Sequence, residues 1–361
     1  MRKLSAGIIG LGEVAQTIHL PVLELYPEQF GIGALCDASP SLLRQFGAQY
    51  GVENLYTDAL ELVKQPDLDV ILILNSTEYH HECAVAAANA GKHVLVEKPM
   101  CLTMSEADSI IEARDRNGVK VMVGYMRRYA APFVQGLKEI QSIGNIHYAR
   151  VRDIIGPNHA FVAPVHRVQR ADDIPQALMA DRKARANKAL MEAIGEGEES
   201  EYGDVYFMLC GLSSHDLSAM REALGMPRGV IGAKLSRNGA FFLNVIFDYD
   251  AFTVTFETGI DEQGRFDAHL EVYGAHKSVR VQYDTPYHRE APATLHVVAT
   301  NGEHFAETTS RPTFKDPYRL QLEHLYDAIV NDFMPKTSPE DYKQDLVLFR
   351  MIIDALRRSN R

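Results

Sequence analysis

The stretch Ala6-Gly7-Ile8-Ile9-Gly10-Leu11-Gly12-Glu13-Val14-Ala15 constrains this chain more than any other. A short apolar run breaks into glycines and an amphipathic segment follows at once, which reads as strand, tight turn and helix. Gly10, Gly12 and Ala15 stand at the three small positions of the G-x-G-x-x-G/A fingerprint, with a further glycine at Gly7. Gly10 permits the turn, Gly12 lets backbone approach a pyrophosphate, and Ala15 lets the helix sit close to the strand. A helix start of this kind points N–H groups and the positive end of its dipole at phosphate. Gly10, Leu11, Gly12, Glu13 and Val14 are thus the candidate phosphate loop of a dinucleotide site.

A second apolar run, Phe30 to Cys36, ends in Asp37, about 25 residues beyond Gly12. A carboxylate at the tip of the second strand accepts hydrogen bonds from both ribose hydroxyls of NAD and repels the 2′-phosphate of NADP. Capping the helix that starts near Pro40 is the competing use of an Asp here. Together with the fingerprint, Asp37 makes NAD the expected cofactor.

The alternation of strand and helix continues to about residue 125. Asp69 to Leu74 is a continuous apolar run, as in a parallel strand covered on both faces. It ends in Asn75-Ser76-Thr77, polar residues at the strand edge where open α/β sheets bind ligands. Helix Glu78 to Ala90, strand His93 to Val96, helix Ser105 to Asn117 and strand Val119 to Val123 complete six strands, a doubly wound Rossmann domain over residues 1–125.

Beyond Gly124 the period changes to two. Ile146 to Asp153, Val230 to Arg237, Phe241 to Tyr249, Phe252 to Thr258, His269 to Tyr273, Ser278 to Tyr283 and Thr294 to Thr300 read as strands, with turns at Asn238-Gly239, Gly274-Ala275 and Asn301-Gly302. The expectation for residues 126–361 is an α+β domain with a large open, mostly antiparallel sheet, serving substrate binding and oligomerisation. Residues 156–203 form an insertion with a charged amphipathic helix, Ile174 to Ile194, and a Gly/Glu-rich loop; helices close the chain over 316–359. Strand Phe241 to Phe247 carries apolar groups on both faces, so helices are expected on one face and a partner copy, in a homodimer or homotetramer, on the other.

A chain of 361 residues exceeds the usual single core, in keeping with two domains. A net charge of −11 argues against nucleic acid or an anionic membrane surface, which need Lys and Arg against phosphate. No window approaches 18 apolar residues, and the N-terminal apolar run is too short for a signal peptide, so a cytoplasmic protein is expected. Cys36, Cys83, Cys101 and Cys210 have no CxxC spacing and read as buried thiols. His80, His81 and Cys83 are too crowded in sequence to converge on a tetrahedral metal, and a helix-start role is expected instead.

Glu97-Lys98-Pro99 follows the fifth strand and brings a cation to the same sheet edge as the fingerprint. Gly91-Lys92-His93-Val94-Leu95-Val96-Glu97-Lys98-Pro99, the pair Gly10-Leu11-Gly12 and His19-Leu20-Pro21, and Gly124-Tyr125-Met126-Arg127-Arg128 resemble the glucose–fructose oxidoreductase/inositol dehydrogenase (Gfo/Idh/MocA) family along essentially the whole chain. The resemblance implies that Lys98 hydrogen-bonds the reacting hydroxyl, that Glu97 contacts the nicotinamide ribose, and that Asn75 and Ser76 border the cofactor. The family's helix with Asp-x-x-x-His corresponds to Gly211-Leu212-Ser213-Ser214-His215-Asp216, so His215 is present while Gly211 replaces the Asp. Asp216 does not substitute for it, because adjacent helical positions point about 100° apart. The space left at residue 211 is expected to hold a bulkier substrate or a side chain from the insertion.

The chemistry of alcohol oxidation suits this pair. A neutral imidazole removes the hydroxyl proton and a lysine ammonium stabilises the alkoxide as hydride leaves. Tyr125, Arg127 and Arg128 leave the last Rossmann strand, where Arg either clamps substrate or holds domains together. The expected activity is an NAD-dependent oxidoreductase interconverting a hydroxyl and a ketone on a sugar, cyclitol or sugar derivative. Two alternatives stand beside it: a glycoside-cleaving enzyme that uses tightly held NAD transiently, and a non-catalytic NAD-binding regulator.

Overall fold

A computed structural model describes residues 2–197, 200–236, 238, 240–289 and 293–359. Six parallel strands, β1 (Leu4–Ile9), β2 (Phe30–Cys36), β3 (Leu55–Tyr56), β4 (Val70–Ile73), β5 (His93–Val96) and β6 (Val121–Val123), form a sheet in the order β3-β2-β1-β4-β5-β6. The order reverses between β1 and β4, the switch point at which a doubly wound sheet opens a ligand crevice at its carboxyl edge. Val70, Ile71, Leu72 and Ile73 are all completely buried, as a central strand covered on both faces requires.

The helices between these strands carry their own stop and start signals. A π-helical turn, Ala15–His19, runs directly into α1 (Leu20–Glu24). Helix α2 (Pro40–Tyr50) starts on Ser39, whose side chain accepts from Leu42 N–H, with Pro40 in the first turn where no donor is missed. The short α3 (Ala59–Leu62) and then α4 (His80–Asn89) follow. A reciprocal capping box between Thr103 and Glu106 opens α5 (Met104–Asn117).

The chain goes on through α6 (Ala131–Gln141), β7 (Ile146–Ile155), α7 (His159–Val162), α8 (Gln176–Ile194), α9 (Glu201–Met208) and α10 (Ser214–Leu224). Seven strands then follow: β8 (Gly229–Leu235), β9 (Phe241–Asp248), β10 (Thr253–Ile260), β11 (Phe266–Gly274), β12 (Lys277–Tyr283), β13 (Thr294–Asn301) and β14 (His304–Ser310), before α11 (Pro317–Val330) and α12 (Pro339–Ser359). The second sheet has eight strands in the order β14-β13-β12-β11-β7-β10-β9-β8. Only β7 and β10 pair in parallel; the other neighbours are antiparallel. Leu243, Val245 and Phe247 of β9 are fully buried on one face while Ile246 is exposed on the other, the period-two pattern of a sheet packed on one side. Helices α6 and α10 pack on this sheet.

Several features depart from the sequence expectation. Strand β14 was not anticipated, because it is a polar edge strand whose one large apolar side chain, Phe305, is exposed. The Asn301-Gly302 turn is what announces it, since Asn301 pairs with His304. The helix expected around Gly211 and His215 is interrupted by a π-helical turn, Leu209–Ser213. The Asn238-Gly239 turn and the Gly/Glu-rich loop fall partly outside the described residues at 239 and 198–199.

The chain divides into two compact units, and the division does not follow a single cut at 125/126. The first unit contains Met1–Gly124 together with His166–Asp204 and Gln321–Leu346; the second contains Tyr125–Val165, Val205–Leu320 and Val347–Arg361. Specific bonds hold the distant segments on the first unit: Gln169 to Gln16, Asp173 to Ser39 and Ser41, Tyr342 Oη to the Cys101 carbonyl, and Tyr26 Oη to Glu323. All four cysteines are buried and unbridged.

Arg114 and Glu340 form a bidentate pair that joins α5 to the start of α12. The Arg114 guanidinium holds Glu340 well below its ordinary value of 4.5, down to about 2. A depressed carboxylate stabilises the fold fully above its unfolded pKa and loses that contribution as pH falls through the folded one. Half of the Glu340 side chain is exposed, so the effect is modest, about 0.5–1 kcal/mol. Glu340→Gln is therefore expected to lower the urea midpoint at pH 7, and the gap to the unmodified protein should narrow at pH 3. An equal gap at both values would show that the pair contributes nothing electrostatic.

Candidate active site

The carboxyl ends of β1, β2, β4 and β5 gather ten of the residues singled out from the sequence: Gly10, Leu11, Gly12, Glu13, Val14, Asp37, Asn75, Ser76, Glu97 and Lys98. Gly10 has φ +96°, and a Cβ there would stand 2.5 Å from the Asn75 backbone nitrogen. The turn after β1 therefore lies against the end of β4 as only glycine allows. Gly12 is the opposite case: it is exposed, and a Cβ there would meet no heavy atom within 4 Å. Open space over Gly12 at a helix start is the cradle a pyrophosphate needs.

Asp37 is fixed from two sides, its Oδ2 accepting from Leu11 N–H at 2.7 Å and its Oδ1 from Ser39 N–H at 2.8 Å. Burial pushes its pKa above the ordinary carboxylate value, and these two N–H groups oppose the shift. The cap of α2 is Ser39 and not Asp37; the Asp37 carboxylate ties the turn at residues 10–12 to Ser39 and retains acceptor capacity. The buried Asn75 Oδ1 has no hydrogen-bond partner among the described residues. An orphaned acceptor at the crevice is what a cofactor edge would satisfy.

Lys98, half-buried, sits in a turn whose Lys98–Pro99 peptide is cis. Glu97 beside it is almost fully buried and accepts from His19 Nε2 at 2.8 Å and from Lys98 N–H at 3.1 Å. Burial alone would raise its pKa; His19 and the Lys98 cation more than offset this, so Glu97 is held below its ordinary value and is ionised at neutral pH. The carboxylate also fills the place of a side chain at Gly124, where a Cβ would lie 3.0 Å from it.

His80 supports the same turn. Its Nδ1 lies 2.8 Å from the Pro99 carbonyl and its Nε2 3.0 Å from the Asn75 carbonyl. Burial pushes its pKa down, and the two carbonyls oppose the shift. It thereby joins the Lys98 turn to the end of β4. Lys92, by contrast, spends its ammonium on the carbonyls of Leu68 and Pro66, remote from any chemistry.

Tyr125, Arg127, Arg128 and His215 belong to the second unit, and each is buried. The Arg127 guanidinium bonds Asp216 and lies 3.4 Å from Asp153, with the rings of Tyr283 and Phe266 at 5.2 and 5.4 Å from its centre. Burial opposes the Arg127 charge, and the two carboxylates hold its pKa above the ordinary value all the same. Burial also pushes Asp216 well above the carboxylate range, with Asp153 adding to the shift against Arg127. One cation facing two carboxyl groups in a dry interior makes the ionised form of Asp216 costly, which is the direction of its shift. Arg128 bonds Glu222 at 2.5 Å. Gly211 is exposed within the π-helical turn, and a Cβ there meets nothing within 4 Å among the described residues.

His19 and Asp153 carry no local mark as site residues, because each acts through a partner far along the chain, whereas His80, read as a helix-start residue, opens α4 and also faces the Pro99 and Asn75 carbonyls. Only the resemblance of the run His19-Leu20-Pro21 points to His19.

A reversal of strand order at β1 and β4, a glycine turn with open space over Gly12 and a carboxylate at the end of β2 define a dinucleotide-binding domain of the Rossmann class. The model of an oxidoreductase family with an NAD-binding Rossmann fold matches residues 4–125. Myo-inositol 2-dehydrogenase of Thermotoga maritima is 33% identical over 147 residues, covering 40% of this chain and 43% of that protein. Inositol 2-dehydrogenase of Salmonella typhimurium is 37% identical over 145 residues, with the same coverage of 40% and 43%. The match thus spans less than half the length of these relatives. The structure of levoglucosan dehydrogenase in complex with NADH superposes over 99% of this chain and 98% of that one, with a TM-score of 0.76 at 17% identity. Residues 4–125 thus match the NAD-binding Rossmann domain of that oxidoreductase family, and the cofactor is NAD.

The two glycines make a paired prediction. Gly10→Ala is expected to lower the thermal midpoint of the cofactor-free protein, since its φ alone costs roughly 1–2 kcal/mol for a residue with a Cβ and the contact with Asn75 adds to that. Gly12→Ala should leave the cofactor-free midpoint unchanged and weaken NADH binding in calorimetry. A Gly12→Ala protein with unaltered NADH affinity would remove the phosphate from that space.

Proposed function

We propose that the protein is an NAD-dependent dehydrogenase interconverting a hydroxyl and a ketone on a sugar, cyclitol or sugar derivative. The observation that carries this reading is the Lys98 turn, held by buried Glu97 and pinned through His80 to the end of β4 on an NAD-binding domain. NAD, when bound, accepts the hydride. The Lys98 ammonium stabilises the oxygen as it loses its proton, in a setting where Glu97 and the turn fix the lysine backbone. His215 takes that proton as general base.

Arg127 serves this site by position: its charge is committed to Asp153 and Asp216, so it holds the start of α10, which carries His215, against β7. Tyr125 and Arg128 complete the substrate side. The homodimer or homotetramer belongs to the same proposal, with Ile231 and Ile246 exposed on β8 and β9 for a partner copy. No helix among the described residues is long and apolar enough to cross a membrane.

The deciding experiment is a panel of sugars and cyclitols scored for NADH absorbance and product mass together. NADH formed in step with a ketone supports the proposal; bond cleavage without net NADH, or no turnover at all, replaces it with one of the two alternatives. Lys98→Ala is expected to lower kcat about 100- to 1,000-fold with NADH affinity unchanged, and a collapse of NADH binding would make Lys98 a cofactor anchor. Gly211→Asp has room in the fold, so it is expected to raise KM if substrate occupies that space, with Gly211→Ala as the control for helix propensity. Unchanged KM and a higher kcat would show that the space stays empty.

A further inference from the structure

Residues 169–173 cross the cofactor edge of the first unit and are held to it at two places. At the phosphate-loop helix, Gln16 and Gln169 exchange hydrogen bonds, Gln16 Nε2 donating to the Gln169 carbonyl and Gln169 N–H to Gln16 Oε1, both at 2.8 Å. Arg170 lies 3.5 Å from Glu13 alongside. At the start of α2, Asp173 Oδ2 accepts from Ser41 N–H at 2.8 Å and its Oδ1 from the Ser39 hydroxyl. These bonds, Ser39 first, pull the Asp173 pKa below its ordinary value, so the side chain is anionic at neutral pH.

Ser39 therefore stands between two carboxylates. Its N–H donates to Asp37 and its hydroxyl to Asp173. The position matters for cofactor choice. If the adenine ribose places its hydroxyls on Asp37, a phosphate on the 2′-oxygen extends toward the first turn of α2. The donors it would need there, a backbone N–H and a serine hydroxyl at a helix start, are those an anion uses. In this chain both are already taken by Asp173.

We propose that Asp173 is a second specificity-determining residue for the cofactor, excluding NADP by occupying the donors at the start of α2 that a 2′-phosphate would require. This rests on the ribose reading of Asp37. Removing Asp37 alone then leaves an anion in the phosphate position, so the usual single exchange at the end of β2 fails to convert the protein. The opposition has two parts, loss of donors and like charge, and both disappear with the side chain.

The test is calorimetric binding of NADH and NADPH to the unmodified protein, Asp37→Ser, Asp173→Ala, Asp37→Ser/Asp173→Ala and Asp37→Ser/Asp173→Asn, with thermal midpoints as a folding control. The unmodified protein should favour NADH, and Asp37→Ser should gain little for NADPH. Relative to Asp37→Ser, the double variant should raise the NADPH-to-NADH affinity ratio about five- to tenfold, the scale of one unit charge near another in water. Asp173→Asn in the same background should recover part of that rise, as the charge goes and the occupancy stays. A role limited to clamping residues 169–173 would change both affinities together and leave the ratio alone, which would overturn the inference, as would equal ratios in the Asp37→Ser and double variants. An unmodified protein that binds NADPH as tightly as NADH would instead overturn the Asp37 reading beneath it.

Discussion

One ionised carboxylate in a nearly dry place organises the carboxyl edge of the sheet in the first unit. Glu97 is at the end of β5 with water excluded, and an uncompensated charge there costs several kcal/mol. His19 and the Lys98 backbone answer it directly, and Gly124 supplies the space its oxygens need. Three separate stretches, the helix after β1, the turn after β5 and the end of β6, are thus constrained by a single charge. Lys98 inherits its position from that arrangement: its ammonium is attached to a backbone that Glu97 holds from one side and His80 from the other.

The second unit solves a related problem by a different balance. Arg127 is buried with two carboxyl groups, and an ion pair with a full extra negative charge would be unfavourable in that interior. Burial and Asp153 push the Asp216 pKa up against Arg127, while the faces of Tyr283 and Phe266 lie against the guanidinium. The residue next to His215 in sequence is therefore spoken for by structure, which is why Asp216 cannot act as the partner that Gly211 fails to supply.

The first domain was legible from residues because its signals are local. Apolar runs gave β1, β4 and β5, Gly10 announced a turn that its φ of +96° requires, and Asp37 ended β2 where a ribose carboxylate belongs. The supporting shell was not legible, because it is made of pairs far apart in the chain: His19 with Glu97, His80 with Pro99, Arg127 with Asp153 and Asp216. Periodicity marks which face of an element is apolar and is silent about which polar residue meets which. The same limit hid the placement of 166–204. Its charged helix reads as a solvated insertion, yet residues 169 and 173 are bonded to Gln16, Ser39 and Ser41, and no pattern within the segment encodes those partners.

Helix register is where sequence reasoning and structure part most sharply. Both histidines of the proposed mechanism, His19 as support and His215 as base, lie at or just beyond a π-helical turn, Ala15–His19 in one case and Leu209–Ser213 in the other. Such a turn adds a residue to the helix, breaks the regular ladder and rotates everything after it, and it recurs at functional positions for that reason. Counting four residues back from His215 assumes an α-helical step across a stretch that is not α-helical. The widened turn at Gly211 leaves backbone exposed where a regular helix would present a side chain, so glycine there costs the helix less than its propensity suggests. In the first unit the π-helical turn ends on His19 itself, whose Nε2 meets Glu97 at 2.8 Å. Neither irregularity is visible in the hydrophobic period, so neither position could be placed by counting along a regular helix.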